Sequence, residues 1–206
     1  MAAEALDVTV LTDWMKRTAS VIVAQQGYLS DLDAAIGDGD HGANLARGFT
    51  AVMAKLGTPA DPAGLFKTVG MTLIGTVGGA SGPLYGSFFI EMGKAAQGKP
   101  TLDAEAWPRV LAAGVAGVVA RGKAQLGDKT MVDALTPAVA AMDGAAALPA
   151  ALAASARAAQ QGAEATVPLV ARKGRASYLG ERSAGHLDPG AMSSAMILAA
   201  LADAAG

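Results

Sequence analysis

Apolar side chains recur three or four residues apart in one segment after another, and no stretch alternates apolar and polar residues long enough to read as a strand. Leu11, Trp14, Met15, Thr18, Val21 and Ile22 share one face, with Asp13, Lys16 and Arg17 between them. The spacing returns at Leu45, Phe49, Val52, Met53 and Leu56, and again at Trp107, Val110, Leu111, Val115, Val118 and Val119. A chain written this way buries its apolar stripes helix against helix. Hydrophobic residues make up 52% of it but aromatics only 4%, so the core is expected to be built from Ala, Val, Leu, Ile and Met. Such small side chains let helices approach closely, whereas strands favour β-branched and aromatic residues.

Turn residues divide these segments. The first helix is expected to start near Thr9 or Thr12 and to give way to a loop from Ser30 to Gly42. A second ends before Gly57 and Pro59. Asp61-Pro62 predicts a third, because a capping carboxylate precedes a proline whose missing N–H costs nothing in a first turn. It runs to the loop Val77 to Pro83. Leu84 to about Gln97 forms the next, and Thr101 is placed as the cap of the long helix through Val119. After a loop from Gly122 to Thr130 come helices at Met131 to Met142, Pro149 to Gly162 and Ala165 to Ala171. A basic loop from Arg172 to Pro189 precedes a last helix from Gly190 to about Ala202. The expected fold is all-α: an up-and-down antiparallel barrel or bundle of about eight amphipathic helices, with residues 1–206 as a single domain.

Several functions are excluded on composition. Sixteen basic residues against 18 acidic give a net charge of −2, which is unlike the basic face of a nucleic-acid binder. With no cysteine there are no disulfides, thiolate metal sites or Cys nucleophiles. Glu4 and Asp7 stand where a signal peptide would need basic residues, and the longest apolar run, Val110 to Ala120, is too short to span a bilayer. A cytoplasmic protein with no direct contact to nucleic acid or membrane is expected.

The most informative segment is Asp33-Ala34-Ala35-Ile36-Gly37-Asp38-Gly39-Asp40-His41-Gly42. Two carboxylates about 4 Å apart repel by roughly 4 kcal/mol at an effective dielectric near 20, so three packed together need a cation. Splayed into water as an Asp-rich surface turn, they do not. If a cation is held, carboxylate oxygens select Mg²⁺ or Ca²⁺. An EF-hand starting at Asp38 fails, because Gly42 and Phe49 stand where ligands would be required. Gly37-x-Gly39-x-x-Gly42 matches a dinucleotide fingerprint as a string. It follows no strand, however, and without an intervening metal it sets two carboxylates against the phosphate it should cradle. His41 and Asn44 fit either phosphate donors at a helix N-terminus or ordinary first-turn residues. Glycines also cluster at 37–42, 78–82, 122–127 and 185–190. Any one such loop reads as a helix terminator; four in one small chain fit a composite ligand mouth equally well.

The string Asp33-x-x-Ile36-Gly37-Asp38-Gly39-Asp40-His41-Gly42-x-Asn44, followed by Arg47-Gly48-Phe49, closely resembles the L-subunit family of dihydroxyacetone kinases. So do Gly70-Met71-Thr72-Leu73, Gly78-Gly79-Ala80-Ser81-Gly82-Pro83-Leu84, Arg121-Gly122-Lys123 and Gly127-Asp128-Lys129-Thr130-Met131. The block from Ala171 to Ser183, then Gly185-His186 and Asp188-Pro189-Gly190-Ala191, completes a likeness spread over nearly the whole chain.

The resemblance implies an eight-helix barrel with a nucleotide at one end. It implies Asp33, Asp38 and Asp40 as ligands to a pair of Mg²⁺ ions against the diphosphate of ADP. His41, Gly42, Ala43, Asn44, Ala80 and Ser81 would lie on the phosphate side, and Gly122, Met131, Arg175, Asp188, Pro189 and Gly190 around the rest of the nucleotide. Met131 equally fits a core position, Ser81 a turn, and the cations around Arg175 a solvated loop. No catalytic side chain is assigned: transfer is expected to be metal-assisted. In the resembled system ADP stays bound, a phosphotransferase-system (M) subunit phosphorylates it, and the phosphoryl group passes to dihydroxyacetone on a separate K subunit. Two alternatives accompany this: a subunit of a dihydroxyacetone or erythrulose-type kinase that uses ATP directly, and an ADP-loaded subunit that signals to a transcription regulator.

Overall fold

The computed structural model describes residues 3–145 and 147–206, and within them the chain is helical with no named strand. Its α-helices are α1 (Val8–Ala24), α2 (Gln26–Ile36), α3 (His41–Lys55), α4 (Pro62–Thr76), α5 (Ser81–Ala95), α6 (Ala106–Gly122), α7 (Met131–Ala140), α8 (Leu148–Glu164) and α9 (Pro189–Ala205). A 3₁₀ segment, Arg175–Ser183, lies between α8 and α9. A single antiparallel bridge joins Leu6 and Leu102.

Eight of these helices close a ring: α1 packs on α3, each helix from α3 to α8 packs on its successor, and α9 returns to α1. Trp14 Nε1 on α1 donates to the carbonyl of Ile197 on α9 at 2.8 Å, which seals the closure. The ninth helix, α2, stands outside the ring against α3 and α9. Successive ring helices alternate in direction. Gly78 just beyond α4, Ser81 opening α5, Gly122 ending α6, Met131 opening α7 and Pro189 opening α9 all border one cavity. The arrangement is the expected up-and-down antiparallel barrel.

Several helix ends follow local chemistry. Asp61 caps α4 by accepting from Gly64 N–H at 2.7 Å, with Pro62 in the first turn. Thr130 and Asp133 form a reciprocal capping box at α7. Elsewhere the boundaries differ from the sequence expectation. Residues 30–36 are not loop but the end of α2, and the loop shrinks to 37–40. Thr101 does not cap α6, which opens at Ala106 after the Asp103 carboxylate accepts from Glu105 and Ala106 N–H. Residues 165–171 turn rather than form a helix, since Pro168 interrupts them directly after β-branched Thr166 and Val167.

Glycines set the spacing between neighbouring helices. A Cβ on Gly70 of α4 would come within 2.8 Å of the Gly86 carbonyl oxygen of α5. The composition-based expectation of an aliphatic core needs one correction. Both Trp and all four Phe are buried, and Trp14, Phe66, Phe88, Phe89 and Trp107 form a linked cluster, Trp14 and Trp107 meeting edge to face at 5.8 Å. Trp107 opens α6 and Phe66 sits near the start of α4, so the cluster fills the barrel at the end away from the cavity. Among the described residues no helix is long and apolar enough to cross a membrane.

Candidate functional site

The cavity at the glycine-rich end has a volume of about 510 Å³. The acidic loop forms one lip. Asp33 lies in the last turn of α2, and Gly39, with φ of 76° in the left-handed region, reverses the chain towards α3. Asp33 Oδ2 then accepts from Asp40 N–H at 2.9 Å and from His41 N–H at 3.2 Å. These are N–H groups that a helix start leaves without intrahelical partners, so Asp33 caps α3 from a distance. Asp40 makes no side-chain cap bond of its own, which leaves its carboxylate available.

One carboxylate oxygen from each of Asp33, Asp38 and Asp40 lies within 4.8 Å of the other two. This brings together the three residues expected to hold metal. A guanidinium already answers the accumulated charge: Arg175 Nη2 lies 3.0 Å from Asp38 Oδ2. At Gly37 a Cβ would collide with Asp33 Oδ1, so glycine is required for that carboxylate to keep its place. The donor set is all hard oxygen, and the oxygen atoms facing the cavity retain lone pairs. It fits Mg²⁺, which takes one or two carboxylates and completes its shell with phosphate and water.

The opposite walls are backbone-rich. Gly78, Gly79, Ala80 and Ser81 wrap the start of α5, whose N-cap, Ala80, supplies no side-chain bond. The N-termini of α3, α5, α7 and α9 all point at this cavity, adding their positive dipole ends where an anion would sit. Of the residues singled out in the sequence, His41, Ala80, Ser81, Gly122, Met131, Arg175, Asp188, Pro189 and Gly190 line the cavity with Asp33, Asp38 and Asp40. Gly42, Ala43 and Asn44 do not. Gly42 packs so tightly on Gln26 and Ser30 of α2 that a Cβ would strike their backbone. Asn44 is buried behind the cavity wall, against Gly78, and accepts from Arg47, whose Nε donates to the Thr76 carbonyl at 3.0 Å. Asn44 and Arg47 thereby hold the glycine loop.

Four groups in the wall carry perturbed acidity, Lys129 among them. His41 is buried, and loss of hydration pushes its pKa down against the opposing charges of Asp33 and Asp40. Asp188 is pushed up to about 7 by burial, although Ala191 N–H and the nearby Lys129 favour its charged form. Tyr85 is raised to about 12, again by burial.

Lys129, Tyr85, Ser193 and Arg121 were not singled out as site residues in the sequence. Lys129 is buried, with its backbone in the left-handed region at φ of 62°. Its ammonium donates to the carbonyls of Thr166 at 2.6 Å and of His186, with Val167 at 3.5 Å, tying three loops together. Burial lowers its pKa. Tyr85 could have been found one helical turn after Ser81, and Ser193 four residues after Pro189. Nothing in the spacing marks Lys129.

Residues 35–203 match the DAK2 domain family. The chain is 44% identical to the ADP-binding subunit DhaL of the PEP-dependent dihydroxyacetone kinase of Escherichia coli K12, over 96% of this chain and 97% of that one. It is 43% identical to the corresponding subunit of the PTS-dependent kinase of Lactococcus lactis, over 95% and 96%. Among solved structures it is similar to the dihydroxyacetone kinase of C. freundii in complex with AMP-PNP and Mg²⁺, with a TM-score of 0.69 and 30% identity. That match covers 98% of this chain but 35% of the other, and the chain likewise spans about a third of the rat triokinase/FMN cyclase, to which it is 35% identical.

Proposed function

The chain belongs to the DAK2 domain family, and from that premise we propose that it is the nucleotide-binding subunit of a phosphotransferase-system-linked dihydroxyacetone kinase. In this reading ADP, held with Mg²⁺ as a coenzyme, would take a phosphoryl group from the phosphotransferase-system M subunit and, as ATP, would give its γ-phosphoryl group to dihydroxyacetone on a separate K subunit, which leaves ADP in place. Residues 1–206 act as one nucleotide-binding unit. The observation that carries this is the convergence of three aspartates within 4.8 Å on the lip of a cavity faced by four helix N-termini. Sequence identity favours the phosphotransferase version over direct use of ATP: the chain is 44% and 43% identical to the two ADP-binding subunits but 35% identical to the triokinase/FMN cyclase.

Asp33, Asp38 and Asp40 would hold Mg²⁺, two ions in this reading. Mg²⁺ held there would supply neutralisation of the charge that develops on a transferred phosphoryl group. Around it the chain positions and excludes water. Ala80, Ser81 and His41 meet the phosphates. Gly42, Ala43 and Asn44 support them from behind, through the first turn of α3 and the Gly78 loop. Gly122, Met131, Asp188, Pro189 and Gly190 wall the rest of the nucleotide. Arg175, paired with Asp38 here, would be free to meet the ligand when Asp38 holds a metal.

Tyr178, the most exposed large apolar side chain among the described residues at 87%, sits in the same 3₁₀ segment as Arg175. Arg172, Lys173 and Arg182 lie within six residues of it in sequence. This rim is where the K subunit and the M subunit would reach the nucleotide. A transcription regulator would use the same rim as a second role, which a pull-down with and without ADP would detect. Such a subunit works in the cytoplasm, where its partners are.

Native mass spectrometry of the purified protein tests the reading. The expected mass includes one ADP and two Mg²⁺. A protein that neither carries nor takes up Mg²⁺-ADP would end it.

A further inference from the structure

An unbroken line of hydrogen bonds runs from the cavity into the barrel. Ser81 Oγ lies 3.2 Å from His41 Nδ1, His41 Nε2 lies 2.9 Å from Ser193 Oγ, and Ser193 Oγ lies 2.7 Å from Tyr85 Oη. Both ring nitrogens of His41 therefore face hydroxyl groups, while a neutral imidazole carries one N–H. Two arrangements satisfy every member. In the first, Nε2–H donates to Ser193, whose own hydrogen goes to the Pro189 carbonyl 2.9 Å away, one turn back on α9. Nδ1 then accepts from Ser81, which shows the cavity only lone pairs. In the second, Ser193 donates to Nε2, Nδ1–H donates to Ser81, and the Ser81 hydroxyl hydrogen faces the cavity. Tyr85 donates to Ser193, its shortest partner at 2.7 Å, in both, while Ser194 Oγ, 3.0 Å from Tyr85, gives its own hydrogen to the Gly190 carbonyl at 2.8 Å.

The two arrangements differ in what they offer a ligand. Lone pairs from Ser81 repel an anion; its O–H binds one. We infer that an anionic group in the cavity selects the second arrangement, so that Ser193 and Tyr85 are positioning residues which present a hydrogen-bond donor to that group through His41 and Ser81. The change is an exchange of tautomers at constant charge. The inference rests on the reading that this cavity takes a nucleotide phosphate, and it adds the buried half of the apparatus that orients it.

The test uses the full chain labelled with ¹⁵N-histidine, which has two histidines to resolve, His41 and His186. Ring ¹⁵N shifts should place the His41 hydrogen on Nε2 in the nucleotide-free protein and on Nδ1 with Mg²⁺-ADP. In calorimetric titrations Ser81→Ala and Ser193→Ala should each weaken Mg²⁺-ADP binding about tenfold, the worth of one hydrogen bond to a charged group. The double variant should be no weaker than the weaker single one, because both break the same line. A merely structural Ser193 would lower the unfolding midpoint without this coupling. Wild-type protein that binds Mg²⁺-ADP with an unmoved His41 hydrogen, or additive losses in the double variant, would overturn the inference alone. Wild-type protein that does not bind Mg²⁺-ADP would overturn the nucleotide reading beneath it.

Discussion

Asp33 and His41 are joined across the acidic loop: the carboxylate of one accepts the backbone N–H of the other at 3.2 Å, as it does that of Asp40 at 2.9 Å. Asp33 thus has two tasks, capping α3 and facing the cavity, and they can be separated. Asp33→Ala should cost about 1 kcal/mol of stability, as the loss of a helix cap does, and abolish Mg²⁺-dependent ADP binding. Asp33→Asn keeps an accepting oxygen, so it should retain most of the stability and lose the binding. Urea unfolding of the nucleotide-free protein, beside ADP titration, checks both.

Asp38 has no capping role, and its ion pair with Arg175 is exposed. Exposed pairs contribute about 0–1 kcal/mol. Asp38→Asn should therefore leave the unfolding midpoint nearly unchanged while lowering ADP affinity in Mg²⁺ by at least roughly tenfold to a hundredfold, the loss that even partners behind a metal ligand cause. Unchanged affinity by calorimetry would remove Asp38 from the site.

Asp188 gives the stability of the nucleotide-free protein a pH dependence. Its pKa is raised from 3.8 to about 7, so between those values the folded chain holds a proton that the unfolded chain has released. Stability is then full below about pH 4 and falls as pH rises through 7, with a limiting slope of about 1.4 kcal/mol per pH unit for one proton. Asp188→Asn can still accept from Ala191 N–H, the bond that caps α9 at 2.7 Å. Thermal unfolding from pH 4 to 8 should show this decline in the wild type and a flatter profile in the variant.

Lys129→Met removes a buried ammonium from the carbonyls of Thr166, Val167 and His186 and leaves them short of donors. The expected loss is about 2–4 kcal/mol, read as a lower denaturant midpoint. Lys129→Arg should not restore it, because a planar fork cannot replace a compact cation among converging carbonyls.

Much of this structure was legible where a residue's chemistry acts locally. Asp61-Pro62 announces α4 and Thr130 opens α7, whereas the closeness of the three aspartates follows the family resemblance, since charge and spacing alone left a splayed surface turn equally open. The ends of α2 and α5 were not legible. Of α2, only Leu29 and Ile36 are buried, too few to print a helical stripe. Pro83 looks like the last loop residue, yet it occupies the third position of α5, where a helix has no use for its missing N–H. Gly42 and Asn44 carry the right residue types in the right string, but tertiary packing turns them to the back of the wall. The role of Lys129 depends on carbonyls 37 to 57 residues away, which no local pattern encodes.

The aromatic cluster that fills the far end of the barrel leaves the glycine-rich rim as the doorway to the cavity. If a diphosphate resides behind that doorway, whatever recharges it and whatever draws the phosphoryl group from it arrive by one route. A protein that charges the nucleotide and one that discharges it would then compete for the same rim, and an excess of either should slow the cycle by keeping the other out.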